Sequence, residues 1–260
     1  MKLIHLGDIN GRIAREAVKK VLPALRKDFE PDLVIANAEN LSHGLGVSKK
    51  TLLEMSEAGV DIFTSGNHVW DKKEVYEVFG SSEISLLRPA NYPPQVPGIG
   101  YKIFEVGSQK VLVASLAGRV FMDDDLDCPF RKMDEIIAET KLDSPLIVID
   151  FHAEATSEKI AFANYLDGRA NAVVGTHTHV QTADDCVLPK GTAYITDAGM
   201  CGAKDSILGV NKTQIIKTFL TQIRETHEIP ESGTCVINGV FLEIGKGGNK
   251  IERIWREVEV

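Results

Sequence analysis

The sequence predicts an α/β protein. From Lys2 to Phe79, strand-like and helix-like stretches alternate as β-α-β-α-β-α. Each strand in that series releases polar residues at its carboxyl end: Asp8, then Glu39 with Asn40, then Asn67 with His68. Further along, the apolar run Ala172-Val173-Val174 ends at Gly175 and releases His177 and His179. In open α/β sheets the ligand crevice lies at the carboxyl ends of the strands. In an extended segment residues i and i+2 point the same way, so both rings can reach one site.

The elements follow in order. Lys2 to Leu6 reads as a strand, with Gly7 to Gly11 as its loop. Arg12 to Phe29 reads as an amphipathic helix on Ile13, Val18, Val21, Leu22 and Leu25, with Pro23 placed to kink or divide it. Asp32 to Ala36 is a second strand, and Ser48 caps a helix that runs to Ala58 and ends at Gly59. Asp61 to Thr64 is a third strand, and Asp71 is placed to cap a helix through Phe79. Tyr101 to Val106 and Lys110 to Leu116 suggest a hairpin, and Pro129 to Lys141 a helix. Leu146 to Phe151 is a β-branched strand ending in His152, and Ser157 to Leu166 is a helix. Thr192 to Thr196 is a strand and Asn211 to Thr226 a helix. Thr234 to Ile244 and Lys250 to Val258 read as an antiparallel pair joined by a glycine-rich turn, expected to cover one sheet edge.

The chain has 260 residues, 43% hydrophobic and 25% charged, as expected of an ordinary globular protein. A single domain over residues 1–260 is expected, with the Pro/Gly-rich stretch from Arg88 to Gly100 as an ordered loop rather than a boundary. No apolar run reaches membrane-span length, and the first residues lack a signal-peptide pattern, so a cytoplasmic protein is expected. Cys128, Cys186, Cys201 and Cys235 are scattered and suggest neither a disulfide framework nor a zinc ribbon. A net charge of −8 argues against a broad nucleic-acid surface. It leaves room for a phosphate substrate, because bound divalent cations reverse the local sign of a site.

Asp8, Glu39, Asn40, Asn67, His152, His177 and His179 are candidate metal ligands, with His68 in reserve. Such a mixed N and O set, without thiolate, exceeds what one tetrahedral zinc needs and suits two neighbouring ions sharing Glu39. It favours Fe, Mn, Zn or Co over purely hard Mg or Ca sites.

Gly7-Asp8, Asn37-Ala38-Glu39-Asn40, Gly66-Asn67-His68-Val69-Trp70-Asp71, Arg88-Pro89-Ala90-Asn91, the run from Asp150 to Lys159, and Gly175-Thr176-His177-Thr178-His179-Val180-Gln181-Thr182 carry a resemblance. Together they resemble the YmdB-like branch of the calcineurin-like metallophosphoesterases over essentially the whole chain. Two positions depart from the broader superfamily: Asn10 stands where a histidine is usual, and Glu39 where a bridging aspartate is usual. The branch shares the Glu and Asn arrangement.

The resemblance implies a four-layer α/β/β/α sandwich of two mixed sheets and a dinuclear metal-dependent phosphodiesterase. One metal would take Asp8, Glu39, Asn40 and His179, and the other Glu39, Asn67, His152 and His177. Fe or Mn is the expected pair, with Zn or Mg as alternatives. A metal-bridging hydroxide would attack phosphorus, and His68 would protonate the leaving alkoxide or stabilise the transition state. Small phosphate esters, above all 2′,3′-cyclic nucleotides, are the implied substrates, and a homo-oligomer is an open option.

Other residues carry less. Asn40 also fits a loop cap, and His43 either lines a substrate pocket or is solvated. His5 reads as a satisfied core or edge histidine. His227 suits a helix C-terminus, and Asp197 and Cys201 read as structural. Glu154 fits either support of a ligand histidine or a helix start, Arg88 to Tyr92 could touch substrate, and Trp70 reads as packing. An amidohydrolase barrel also uses His-x-His, but near its N-terminus and on eight regular βα units, which are absent here. A nucleotide-sensing regulatory protein with weak or no turnover would carry the same ligand set.

Overall fold

The computed structural model describes residues 1–81, 83–143 and 145–260. The first half runs β1 (Lys2–Leu6), β2 (Asp8–Ile9), α1 (Gly11–Phe29), β3 (Leu33–Asn37), α2 (Lys49–Glu57) and β4 (Ile62–Thr64). A 3-10 turn over Asn67–Trp70 and α3 (Val75–Phe79) follow. The second half runs β5 (Tyr101–Val106), β6 (Gln109–Ala117), α4 (Pro129–Thr140), β7 (Leu146–His152), α5 (Thr156–Leu166) and β8 (Ala172–Thr176). It ends with β9 (Cys186–Val187), β10 (Ala193–Ile195), β11 (Met200–Ala203), α6 (Lys212–Thr221), β12 (Thr234–Glu243) and β13 (Lys250–Glu259).

These strands make two mixed sheets. One has the order β2-β11-β12-β1-β3-β4, with β13 paired to β12. The other has the order β5-β6-β7-β8-β10-β9, with a parallel centre and antiparallel flanks. Three apolar clusters separate four layers. Ile4, Leu6, Val34 and Phe63 pack with Ile13, Ala17 and Leu22 of α1 and Leu52 of α2. Leu3, Ile35 and Ile62 of the first sheet pack with Val113, Val148 and Val174 of the second. Ile149 and Phe151 pack with Met133 and Ile136 of α4 and Phe162 of α5. The architecture is therefore the α/β/β/α sandwich.

Side chains alternate across a strand, and that alternation places the site. On the faces where the two sheets meet, the apolar residues give way to polar ones toward the strand ends. Ile35 is followed two positions on by Asn37, Ile62 by Thr64, Val174 by Thr176, and Val148 by Asp150 and then His152. The inter-sheet layer thus closes at one rim with buried polar groups.

Several details differ from the sequence reading. Pro23 lies inside an unbroken α1. Asp71 does not cap a helix: its carboxylate is taken by His68 Nδ1 at 2.9 Å, and α3 begins only at Val75. Ser48 does cap α2, in a reciprocal box with Thr51. Asn211 caps α6, but the helix stops at Thr221 rather than Thr226, because the Thr221 hydroxyl takes the Ile223 N–H and Gln222 turns left-handed at φ 59°. Of the tail pair, β13 lies at the edge while β12 is internal, paired on its other side to β1 and β11. Asp8 lies in a short strand parallel to β11 rather than in a loop. Among the described residues, no helix is long and apolar enough to cross a membrane.

The inter-sheet cluster is expected to contribute substantially to stability. Leu3, fully buried there, should lose about 2–5 kcal/mol on Leu3→Ala in urea unfolding. Leu142→Ala, at a side chain 99% exposed, should stay within about 0.5 kcal/mol. Equal losses for both would contradict the layer assignment.

Candidate metal centre

His152, at the end of β7, is the hub of the rim. Its Nε2 faces Glu39 Oε1 at 3.1 Å, Asn67 Oδ1 at 3.2 Å and His177 Nδ1 at 2.9 Å. Glu39, His152 and His177 each offer an atom within 4.8 Å of the others'. A second set adjoins them. Asn40 Nδ2 lies 3.4 Å from Glu39 Oε1 and 3.2 Å from His179 Nε2, and His179 Nε2 lies 3.8 Å from Asp8 Oδ1. Glu39 borders both sets.

The backbone is shaped to allow this crowding. Gly66 passes so close that a Cβ there would lie 2.1 Å from the His152 ring and 2.3 Å from Glu39 Oε2. His177 and His179 both take positive φ, at 99° and 65°, a conformation that L-residues rarely adopt without support. The support comes from Asp197. Its Oδ2 accepts the Thr178 N–H at 3.0 Å, the Thr178 hydroxyl at 2.7 Å and the Lys159 ammonium at 2.7 Å. Lys159 and Asp197 are both buried, so the pair is held in low dielectric with its hydrogen bonds made. The His177 N–H in turn donates to Asp8 Oδ2 at 3.1 Å. Gln181 ties the end of the loop to the carbonyls of Ala198, Gly239 and Ile254.

The charges at the rim are mutually adjusted. Burial pushes the Asp8 carboxyl up to about 6, against the pull of His179 and His152. Burial works the same way on Glu39, but the His152, His68 and His177 rings outweigh it and hold the group well down. Burial pulls His177 down to about 3, with the His152 ring adding to the effect, so that imidazole is neutral. Burial also pulls on His152, but there Glu39, Asp8 and Asp150 outweigh it and raise the ring. A metal ion and a proton therefore compete for His152 Nε2. Asp8 Oδ1 is buried with no hydrogen-bond partner among the described residues. An orphaned carboxylate oxygen and ring nitrogens converging on carboxylate and amide oxygens fit a cation, which would satisfy them together.

Each residue singled out in the sequence can now be placed. Asp8, Glu39, Asn40, Asn67, His152, His177 and His179 come together at the rim. The His68 N–H donates to Glu39 Oε2 at 3.1 Å, and its ring is 35% exposed, with Nδ1 held by Asp71. Glu154 Oε2 lies 3.2 Å from His177 Nε2, supporting that ring. Asn10 donates to the Leu208 carbonyl, which also bonds His179 Nδ1. His43 is exposed, in a separate hollow lined with Arg12, His227 and Ile229. Arg88 and Asn91 are both buried: Arg88 donates to the carbonyls of Pro89, Val96 and Pro97, and Asn91 to those of Ala117 and Asp127. Trp70 packs against Tyr76, Phe79 and Tyr92. His5 is buried but not satisfied: neither ring nitrogen has a hydrogen-bond partner among the described residues, and Nε2 lies 3.6 Å from Asp150 Oδ2.

Sequence reading missed the residues behind the site. Asn37, Thr64, Asp150 and Thr176 form a buried polar layer under His152. Asp71 could have been found, because i and i+3 meet on a helical turn.

Comparison with known proteins agrees with this geometry. The family described as YmdB-like protein matches residues 4–256. A protein of Bacillus subtilis (strain 168) named 2′,3′-cyclic-nucleotide 2′-phosphodiesterase is 46% identical over 257 residues, covering 98% of this chain and 96% of that one. A solved structure of a hypothetical protein from Thermus thermophilus superposes with a TM-score of 0.92 at 41% identity, covering 99% of each chain. Another, described as a novel phosphatase of Mycoplasma pneumoniae, gives 0.90 at 38% identity, covering 100% of this chain and 93% of that one. A family match spanning nearly the whole chain settles the assignment: the chain belongs to the YmdB-like family.

Proposed function

We propose that the protein is a dinuclear metal-dependent phosphodiesterase that opens 2′,3′-cyclic nucleotides. The observation that carries the reading is the convergence on Glu39, whose buried carboxylate borders two adjoining sets of ligand atoms. Asp8, Glu39, Asn40 and His179 would hold one ion, and Glu39, Asn67, His152 and His177 the other. Bound there, a pair of ions, Fe or Mn by preference, supplies positive charge to the phosphoryl oxygens and lowers the pKa of water towards neutrality. The name of the Bacillus subtilis relative supports the substrate. So does chemistry: a five-membered cyclic phosphate is strained, and opening it relieves that strain.

The chain's own groups account for the rest. His68 sits beside Glu39 on the 3-10 turn, with Nδ1 on Asp71 Oδ2 and the ring partly open to solvent. That pairing orients the ring and leaves Nε2 to deliver a proton to the leaving ribose oxygen. Asp197 and Lys159 keep His177 and His179 in their left-handed conformations, and Glu154 braces His177. Two aromatic residues beside the motif, Trp70 and Tyr92, are engaged with each other, and Trp70 also with Tyr76 and Phe79. They offer no open pair to clamp a base. Discrimination among bases is accordingly weak.

Two outcomes follow. His68→Ala should retain metal by elemental analysis but lose roughly 10²–10⁴ in turnover, whereas His177→Ala should lose metal and activity together. Loss of metal from His68→Ala would make His68 a ligand and remove its assigned role. In kcat/KM measurements with Mn or Fe present, the four 2′,3′-cyclic mononucleotides should fall within about tenfold of one another, consistent with weak base recognition. The 3′,5′-cyclic nucleotides should be slower. Equal or faster cleavage of 3′,5′-cyclic AMP, or binding of 2′,3′-cyclic nucleotides without turnover, would overturn the substrate assignment.

A further inference from the structure

A histidine can present a lone pair from one ring nitrogen only if its proton is kept on the other. The two nitrogens of His152 have different surroundings. Nε2 faces Glu39 Oε1, Asn67 Oδ1 and His177 Nδ1. Nδ1 lies 3.0 Å from Thr176 Oγ1. The Thr176 hydroxyl has a single proton, and at 2.6 Å it meets Asp150 Oδ1, a carboxylate oxygen that can only accept. The hydroxyl proton therefore sits on the bond to Asp150, and the Thr176 oxygen turns a lone pair toward His152 Nδ1.

The neighbouring groups hold this direction. Asn37 Oδ1 accepts the Glu39 N–H at 3.1 Å, which fixes the amide so that its NH2 end faces Asp150. That NH2 lies 3.3 Å from Asp150 Oδ2, 3.4 Å from Thr176 Oγ1 and 3.3 Å from His152 Nδ1, and the carboxylate is the strongest of those acceptors. The Thr64 hydroxyl also donates to Asp150 Oδ2. Asp150, Thr64, Thr176, Asn37 and His152 are all buried, so these bonds lie in a low-dielectric layer away from bulk solvent. Asp150 lies on the same face of β7 as His152, two residues earlier.

We propose that Asp150 and Thr176 form a relay that keeps the His152 proton on Nδ1 and so reserves Nε2 for the cation shared with Glu39, Asn67 and His177. Both are positioning residues, acting through His152. The purpose of the relay rests on the metal reading above, but the position of the proton does not. In the opposite tautomer the proton would point at Glu39 Oε1, and the hydrogen bond it formed would occupy the space of the ion.

The test uses the full chain. Long-range ¹H–¹⁵N correlation of the His152 ring is recorded in Zn²⁺-loaded protein and in metal-free protein titrated until the ring is neutral. Both spectra should place the proton on Nδ1, and the loaded one should place the metal on Nε2. Thr176→Val removes the lone pair while keeping the shape. It should weaken Zn²⁺ binding at the His152 site by about 10–100-fold in chelator competition, the usual effect of losing a group that orients a ligand, and Thr176→Ser should restore it. A proton on Nε2 in the metal-free ring, or a folded Thr176→Val that binds Zn²⁺ as tightly as the wild type, would overturn the relay. If Thr176→Val fails to fold, the wild-type spectra still decide. If the wild type takes up no Zn²⁺, the metal reading falls, and the metal-free spectrum alone judges the relay.

Discussion

Glu39 is a buried carboxylate that must stay charged, and most of the rim is built to keep it so. Taking such a group out of water is unfavourable by several kcal/mol unless it is paired and hydrogen-bonded. His68 N–H donates to it from one side, His152 Nε2 meets it from another, and Gly66 gives it room where a side chain could not stand. Asn37, two residues earlier, holds the Glu39 backbone through its own side chain. A carboxylate fixed this tightly between two groups of nitrogen and oxygen atoms is suited to the shared position proposed for it.

The sandwich supplies the means. Each strand on the inter-sheet face is apolar along most of its length and polar at its end, so the same packing that joins the sheets aims the polar ends at one rim. The layer beneath His152 is closed by hydrogen bonds between β3, β4, β7 and β8. Elements far apart in sequence are thereby locked to one another, which is what a preorganised site needs. The strained turns at His177 and His179 persist for the same reason: the buried Lys159–Asp197 pair, from α5 and the segment just after β10, anchors Thr178 between them.

Much of this was legible in the chain. Strand-ending clusters such as Glu39-Asn40 and His177-x-His179 announce themselves, because metal-type ligands seldom recur by chance after successive apolar runs. The support was harder to see. Asp150 opens one of the motif runs, but nothing local says that its face meets a second sheet. Asp197 reads as structural and Lys159 only as part of a motif run, since their pairing depends on tertiary packing. His5 was read as satisfied because most buried histidines are; here the partner carboxylate is committed to Thr64, Thr176 and Asn37. Asp71 was given the common role of a helix cap, although its spacing from His68 favoured the side-chain pair that forms.

The central claim is that two ions share Glu39. The most direct test is the metal content of wild type and Glu39→Gln after loading with Mn and removal of excess. The shared-carboxylate account predicts about two ions per chain in the wild type and loss of both, together, in Glu39→Gln. One ion per chain in the wild type, or a Glu39→Gln protein that keeps one ion at full occupancy, would contradict it.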